Sequence, residues 1–280
     1  MNIINYTTGG LGNRLRPLSS AYAISKTTGR ELYQYWDKET TNGCLADFND
    51  LFENNIKSIS KEQLLELQSY KIYSDYAAIS RLSTKYGLRT LKTMVDKNIS
   101  SLIEREKYND SDTNDNIILY CNNFIPNTNI NYCYDFIRSL KPIELIQNKI
   151  DIECSNLNLN KNIVGIHARG TDFGVAIKFY IDKIHDYINH NNNAIFFLST
   201  DDDVFEKTIC NTFGDKIITR KNRLHITKTD ANKEWDYNFI ISKEKSQDSI
   251  IDLFLLSKTN IQIYHQGSTF CQIANIISKS

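Results

Sequence analysis

Three polar runs in the second half of the chain carry residue types suited to holding a phosphorylated substrate. His167-Ala168-Arg169 sets an imidazole and a guanidinium two residues apart. On an extended strand that spacing puts both on one side, and a guanidinium's planar fork grips a phosphate through two parallel hydrogen bonds. The competing role for Arg169 is an ion pair with Asp172 that closes a turn. Gly267-Ser268-Thr269 stands before Phe270, Ile273, Ala274 and Ile277, which lie at helical spacing. Hydroxyls there meet the free N–H groups of a helix N-terminus, which attract anions; Ser268 serves equally as an ordinary N-cap. Asp201 and Asp202 follow an apolar run and suit Mg²⁺ beside a diphosphate. Capping a helix that starts near 203 is the commoner use of such residues.

Asp252 is the single charge in IIDLFLL, a run apolar on every side. A carboxylate placed there must be paired or hydrogen-bonded, either in a buried salt bridge or against a donor edge such as guanine N1 and N2. Near the start, Thr8-Gly9-Gly10-Leu11-Gly12-Asn13-Arg14 follows a short apolar run. It lacks the third glycine of a dinucleotide fingerprint and the Gly-Lys-Ser/Thr of a phosphate-binding P-loop. What remains is close backbone approach to a ligand through Gly10, Gly12 and Asn13, with Arg14 or Arg16 offering charge.

The elements that must position these groups alternate. NIINY (2–6), ELYQYW (31–36) and NIILYC (116–121) have the apolar, β-rich composition of buried strands, and Pro17 is expected in the first turn of the helix after the glycine loop. Residues 60–108 read as mostly helical, with a break at KIYS (71–74). Two helical pieces flank Pro142, and a domain boundary is expected near 150. Beyond it, strands at 162–167, 194–200, 216–219 and 261–265 alternate with helices at 178–190, 203–213, 246–258 and 268–278, a doubly wound α/β plan. Ligands of open parallel sheets lie beyond the carboxyl ends of the strands, and the three polar runs fall there.

Composition narrows the field. The 280 residues carry 33 basic and 33 acidic side chains, so no net field holds a polyanion, and a protein that neutralises many duplex phosphates is excluded. The longest apolar runs fall far short of the roughly 20 residues that cross a bilayer. No transmembrane segment is expected, and the opening MNIINYTT has no secretory pattern, so the expected compartment is the cytoplasm, or the periphery of a membrane that carries a lipid-linked acceptor. The six cysteines are scattered without a C-x-x-C pair, which argues against a zinc ribbon or a disulfide scaffold and fits small buried hydrophobes.

Taken in order, GGLGNR (9–14), GIHARGTD (165–172), LSTDD (198–202) and DLFLLSKTNIQIYHQGSTFCQIANII (252–277) resemble fucosyltransferases. The likeness is to the α1,6- and nodulation fucosyltransferases of glycosyltransferase family 23 and the superfamily they share with α1,2- and protein O-fucosyltransferases. It implies a GT-B architecture: two Rossmann-like domains facing across a cleft, residues 1–150 on the acceptor side and 151–280 binding GDP-fucose, with no metal required. It implies that His167 and Asp252 contact guanine, that Arg169 holds the β-phosphate, that Ser268 and Thr269 support the diphosphate, and that Asp201 and Asp202 line the pocket. The loop carrying Gly10, Gly12, Asn13 and Arg14 would reach the same cleft. The implied reaction is inverting transfer of L-fucose from GDP-fucose to a hydroxyl of an oligosaccharide or glycolipid.

The departures are informative. The α1,6 enzymes carry two adjacent arginines, and the second position here is Gly170. The family's acceptor-side basic and acidic residues fall on Phe173 and Ile177, so no general base carries over; Asp172 is the nearest carboxylate. Departure of GDP, stabilised by Arg169, would then drive much of the reaction. The alternatives are a GT-B transferase with another nucleotide sugar, and a nucleotide- or glycan-binding protein without turnover.

Overall fold

The computed structural model describes residues 1–38, 44–67, 69–75, 91–94, 102–109, 116–170, 175–225 and 241–279. The chain forms two compact units. The first comprises Met1–Lys141 with Tyr237–Ser246, and the second Pro142–Asp236 with Gln247–Ser280. Residue 150, expected as a boundary, falls inside a helix, Glu144–Asn156. Lys141 and Pro142 stand on either side of the division between the two units.

In the first unit, strands β1 (Asn2–Thr7), β2 (Glu31–Trp36), β3 (Lys57–Ser58), β4 (Tyr70–Ser74), β5 (Leu102–Glu104) and β6 (Asn116–Tyr120) form one sheet in the order β3-β2-β1-β6-β4-β5. Every pairing is parallel. Both faces are covered, which is why the strands read as apolar runs rather than alternating ones. Ile3, Ile117 and Leu119 pack under Ala21 and Ile24 of α1 (Leu11–Thr28), while Ile4, Tyr6, Ile72, Ile118 and Tyr120 pack against Leu64, Leu91 and Met94. Two expectations fail here. KIYS belongs to β4, a strand paired on both sides, and not to a helical region; its composition alone did not separate a short buried strand from a break. Pro17 lies in the second turn of α1 rather than the first, where its missing N–H leaves the Asn13 carbonyl without its helical donor. Helices α2 (Lys61–Leu65) and α3 (Ile130–Arg138) complete the described part, α3 packing along α1.

The second unit opens with α4 (Glu144–Asn156). Its sheet, in the order β10-β7-β8-β9, comprises β7 (Val164–Ala168), β8 (Phe196–Thr200), β9 (Ile217–Thr219) and β10 (Asn260–Tyr264), again all parallel. Helices α5 (Ile177–His190) and α6 (Asp203–Phe213) cover one face, where Tyr180, Ile184 and Ile209 meet Ile166, Phe196 and Leu198. Helices α7 (Lys243–Ser257) and α8 (Thr269–Ile277) follow in the chain. All six cysteines are free; Cys44, Cys121, Cys133 and Cys271 are buried, and Cys154 and Cys210 are half-buried. No helix among the described residues is long and apolar enough to cross a membrane.

Candidate functional site

At the carboxyl edge of the second sheet the ends of β7, β8 and β10 bring together His167, Arg169, Gly170, Asp201, Asp202 and Ser268. Register explains the grouping: His167 lies opposite Ser199 on one side and Tyr264 on the other. Ser268 is the N-cap of α8, its Oγ accepting the Cys271 N–H at 3.2 Å, and the same hydroxyl shares a 3.1 Å hydrogen bond with Nδ1 of His167. The imidazole also stacks on Phe270, with ring centroids 4.8 Å apart. Both expected roles of Ser268 are thus compatible, since a cap leaves other first-turn N–H groups of α8 facing outward. Thr269 begins the helix and is half-buried.

His167 is 6% exposed, and burial, countered in part by Asp201, pushes its pKa down to about 4. The native ring is therefore neutral. The unfolded chain takes up this proton near pH 6.5 and the native one only near 4, so native His167 binds fewer protons in between. Stability is expected to fall as pH drops from about 6.5 to about 4, by about 2–3 kcal/mol, and then to flatten. Denaturant titrations across that range check this, with His167→Gln flattening the slope.

Arg169 is part-exposed at the same edge. Its backbone N–H donates to the Tyr180 hydroxyl at 3.1 Å, and its Nε stands 4.0 Å from Oδ2 of Asp201. Asp201 in turn accepts the Gly170 N–H at 3.0 Å. Asp202 is a helix cap: its Oδ1 accepts the Val204 and Phe205 N–H groups at 2.9 and 3.1 Å. Its side chain also lies where a Cβ on Gly170 would be, 2.5 Å from Asp202 Cβ. Position 170 therefore excludes any side chain without displacing the cap, which accounts for the missing second arginine. Asp172 and Phe173 lie outside the described residues.

Asp252 is buried and fully engaged. Its Oδ1 accepts from Arg220 Nε at 3.0 Å, and its Oδ2 from Arg223 Nε at 2.8 Å and Ser199 Oγ at 3.4 Å. Burial alone would raise its carboxyl; Arg223 and Arg220 outweigh that and hold it below the ordinary value. Arg220 is also paired with Asp248 at 2.8 Å, and Arg223 with Glu206. Of the two alternatives for Asp252, the salt bridge is the one the described residues form. The sequence holds a signal for this, two arginines three residues apart that can answer a carboxylate in an apolar helix. Tyr180 and Phe270, which contact Arg169 and His167, were missed.

In the first unit Gly9, at φ 80°, turns the chain from β1 into α1, and Gly10 is the N-cap without a side-chain hydrogen bond. Gly12 is buried in the first turn. Arg14 faces inward rather than toward a ligand. It is fully buried, donating to the carbonyls of Gly9, Thr7 and Asp37 at 2.8, 3.4 and 3.2 Å and lying over the Trp36 ring. The guanidinium takes the carbonyls of Gly9 in the β1–α1 turn and of Asp37 just after β2, and it shares the Thr7 carbonyl with the Asp37 N–H, which reaches that oxygen at 3.0 Å. Asn13 stays at the turn, its Oδ1 accepting from Arg16 at 3.2 Å.

The sequence matches no family model and no curated protein. Solved structures do match. The chain is 18% identical to the fucosyltransferase NodZ from Bradyrhizobium, with 98% of this chain and 92% of that one covered and a TM-score of 0.63; NodZ, an α1,6-fucosyltransferase, is also known soaked with GDP-fucose. POFUT1 in complex with GDP matches at 10% identity, 99% and 94% coverage and a TM-score of 0.55. A variant of Arabidopsis thaliana FUT1 in complex with GDP matches at 12% identity, 99% and 69% coverage and a TM-score of 0.56. Two parallel sheets flanked by helices place the chain in the GT-B class of α/β folds. Within that class it has the fucosyltransferase-type fold.

Proposed function

We propose that the protein is an inverting glycosyltransferase that moves L-fucose from GDP-fucose to a glycan hydroxyl, giving an α-linked product. The observation that carries this is the convergence of Arg169, the neutral His167 and the Ser268-capped N-terminus of α8 at one sheet edge. A guanidinium and a helix N-terminus together neutralise a leaving diphosphate without a metal ion. In this scheme the second unit holds the donor, Asp201 keeps the Arg169–Gly170 turn in place, and the first unit serves the acceptor, an oligosaccharide or a glycolipid. Solved relatives of the same fold bind GDP or GDP-fucose, which supports the choice of donor.

A second proposal, a GT-B transferase using another nucleotide sugar, is favoured by one fact: both carboxylate oxygens of Asp252 are taken by arginines. Calorimetric titration with GDP, UDP, ADP and CMP in the presence of chelator separates the two. The expected result is selective GDP binding, weakened about 10–100-fold by Arg169→Ala, the worth of charged hydrogen bonds to phosphate. Equal binding of all four, or dependence on Mg²⁺, would overturn the assignment.

A further inference from the structure

The turn after β7 is held by side chains. β7 ends at Ala168, so the N–H groups of Arg169 and Gly170 lie past the paired part of the sheet and need acceptors elsewhere. Gly170 is answered by Oδ1 of Asp201, just after β8, at 3.0 Å. Arg169 is answered by the hydroxyl of Tyr180, near the start of α5, at 3.1 Å.

That hydroxyl is a fixed acceptor. The Tyr180 ring is fully buried in the core with Ile166, Ala168, Ile184 and Phe196, and it stands edge-on to Phe179 and Phe205, with centroids 5.2 and 6.0 Å away. Packing that locks the ring leaves its oxygen one place to be. Burial also pushes the phenol's pKa up, so the hydroxyl keeps its proton at neutral pH.

Arg169 carries its guanidinium on a long, flexible stem, and ordering such a stem costs rotamer freedom. A backbone already held in place removes part of the ordering cost before a ligand arrives. We propose that Tyr180 is a positioning residue for Arg169, its hydroxyl fixing the backbone from which the guanidinium reaches the second phosphate of a nucleoside diphosphate; the proposal rests on the donor site proposed above.

Two roles are open to a buried tyrosine, and they differ in what they touch. A hydroxyl that only stabilises the fold affects every nucleotide alike. It also acts whatever side chain stands at position 169, because alanine there keeps the same N–H. A hydroxyl that aims Arg169 matters only to a ligand which the guanidinium reaches, and only while the guanidinium is present.

Tyr180→Phe removes one oxygen and keeps the ring, so the packing survives. Calorimetric titrations of the full chain with GDP and with GMP, in the presence of chelator, compare the wild type, Tyr180→Phe, Arg169→Ala and the double variant. The expected result is that Tyr180→Phe weakens GDP about 3–10-fold, the worth of one neutral hydrogen bond, and leaves GMP within about 2-fold of the wild type. In the Arg169→Ala background the same substitution is expected to change GDP affinity by less than about 2-fold. Unchanged GDP affinity, equal weakening of GDP and GMP, or the full loss repeated without Arg169 would overturn the proposal. A wild-type chain that binds neither nucleotide removes the donor site itself, an outcome distinct from any of these.

Discussion

Asp252→Ala is expected to lower the stability of the second unit by about 3 kcal/mol, the lower end of the cost of breaking a buried ion pair. The carboxylate is 6% exposed and joins two guanidinium groups that are themselves buried. Removing it leaves each arginine one acid, Asp248 for Arg220 and Glu206 for Arg223. That remaining pairing keeps the cost from the upper end of the range. In a melting experiment the loss corresponds to about 6–12 °C. Asp252→Asn is expected to cost less, since its amide oxygen still accepts from one Nε while its NH₂ faces the other. The same variants test the guanine assignment: unchanged melting with lost GDP preference would mean that the arginines release Asp252 to the nucleotide.

Arg14→Met is expected to cost the first unit about 3–5 kcal/mol. The carbonyls of Gly9, Asp37 and Thr7 lose the Arg14 hydrogen bond inside the protein, though Thr7 keeps the Asp37 N–H, and a hydrogen bond to a charged group is worth about 1.5–3 kcal/mol. Met keeps most of the volume, so the loss is chiefly of hydrogen bonds and of the contact with Trp36. Burial already lowers the pKa of Arg14, a sign of how strongly its site opposes the charge, countered in part by Cys44 and Asp37. Hydrogen exchange of the β1 and α1 amides is the direct readout, and GDP affinity is expected to stay at the wild-type value. A loss of GDP binding in a variant of normal stability would return Arg14 to the ligand.

The strands were legible because both faces of each sheet are covered, which writes each strand as an apolar run; β2 and the α6 segment match their expected limits. What escaped was too short or too ambiguous for a pattern. β3 is two residues long, and β4 carries a composition that a helix could share. At the site, Arg169, His167 and Ser268 were readable because strand ends and helix starts sit in fixed places in an α/β fold. For Asp252 and Arg14 spacing shows only that a charge must be satisfied, and the partner is decided by the segments folded around it. At Asp202 a helix cap and a pocket carboxylate have the same sequence signature, and the cap, the commoner use, is present.

The division of the chain has a consequence for how the protein is made. The first unit includes Tyr237–Ser246, and within it Ile241 bridges Cys44 and Lys243 pairs with Asp50. A ribosome that has finished Lys141 has therefore not finished the first unit. Its last piece emerges only after about a hundred residues of the second, so the unit that begins first is completed late. N-terminal-first folding, the usual order during synthesis, is interrupted here. The nascent first sheet must wait with part of its periphery missing, and a fragment cut at the apparent boundary would inherit that gap permanently.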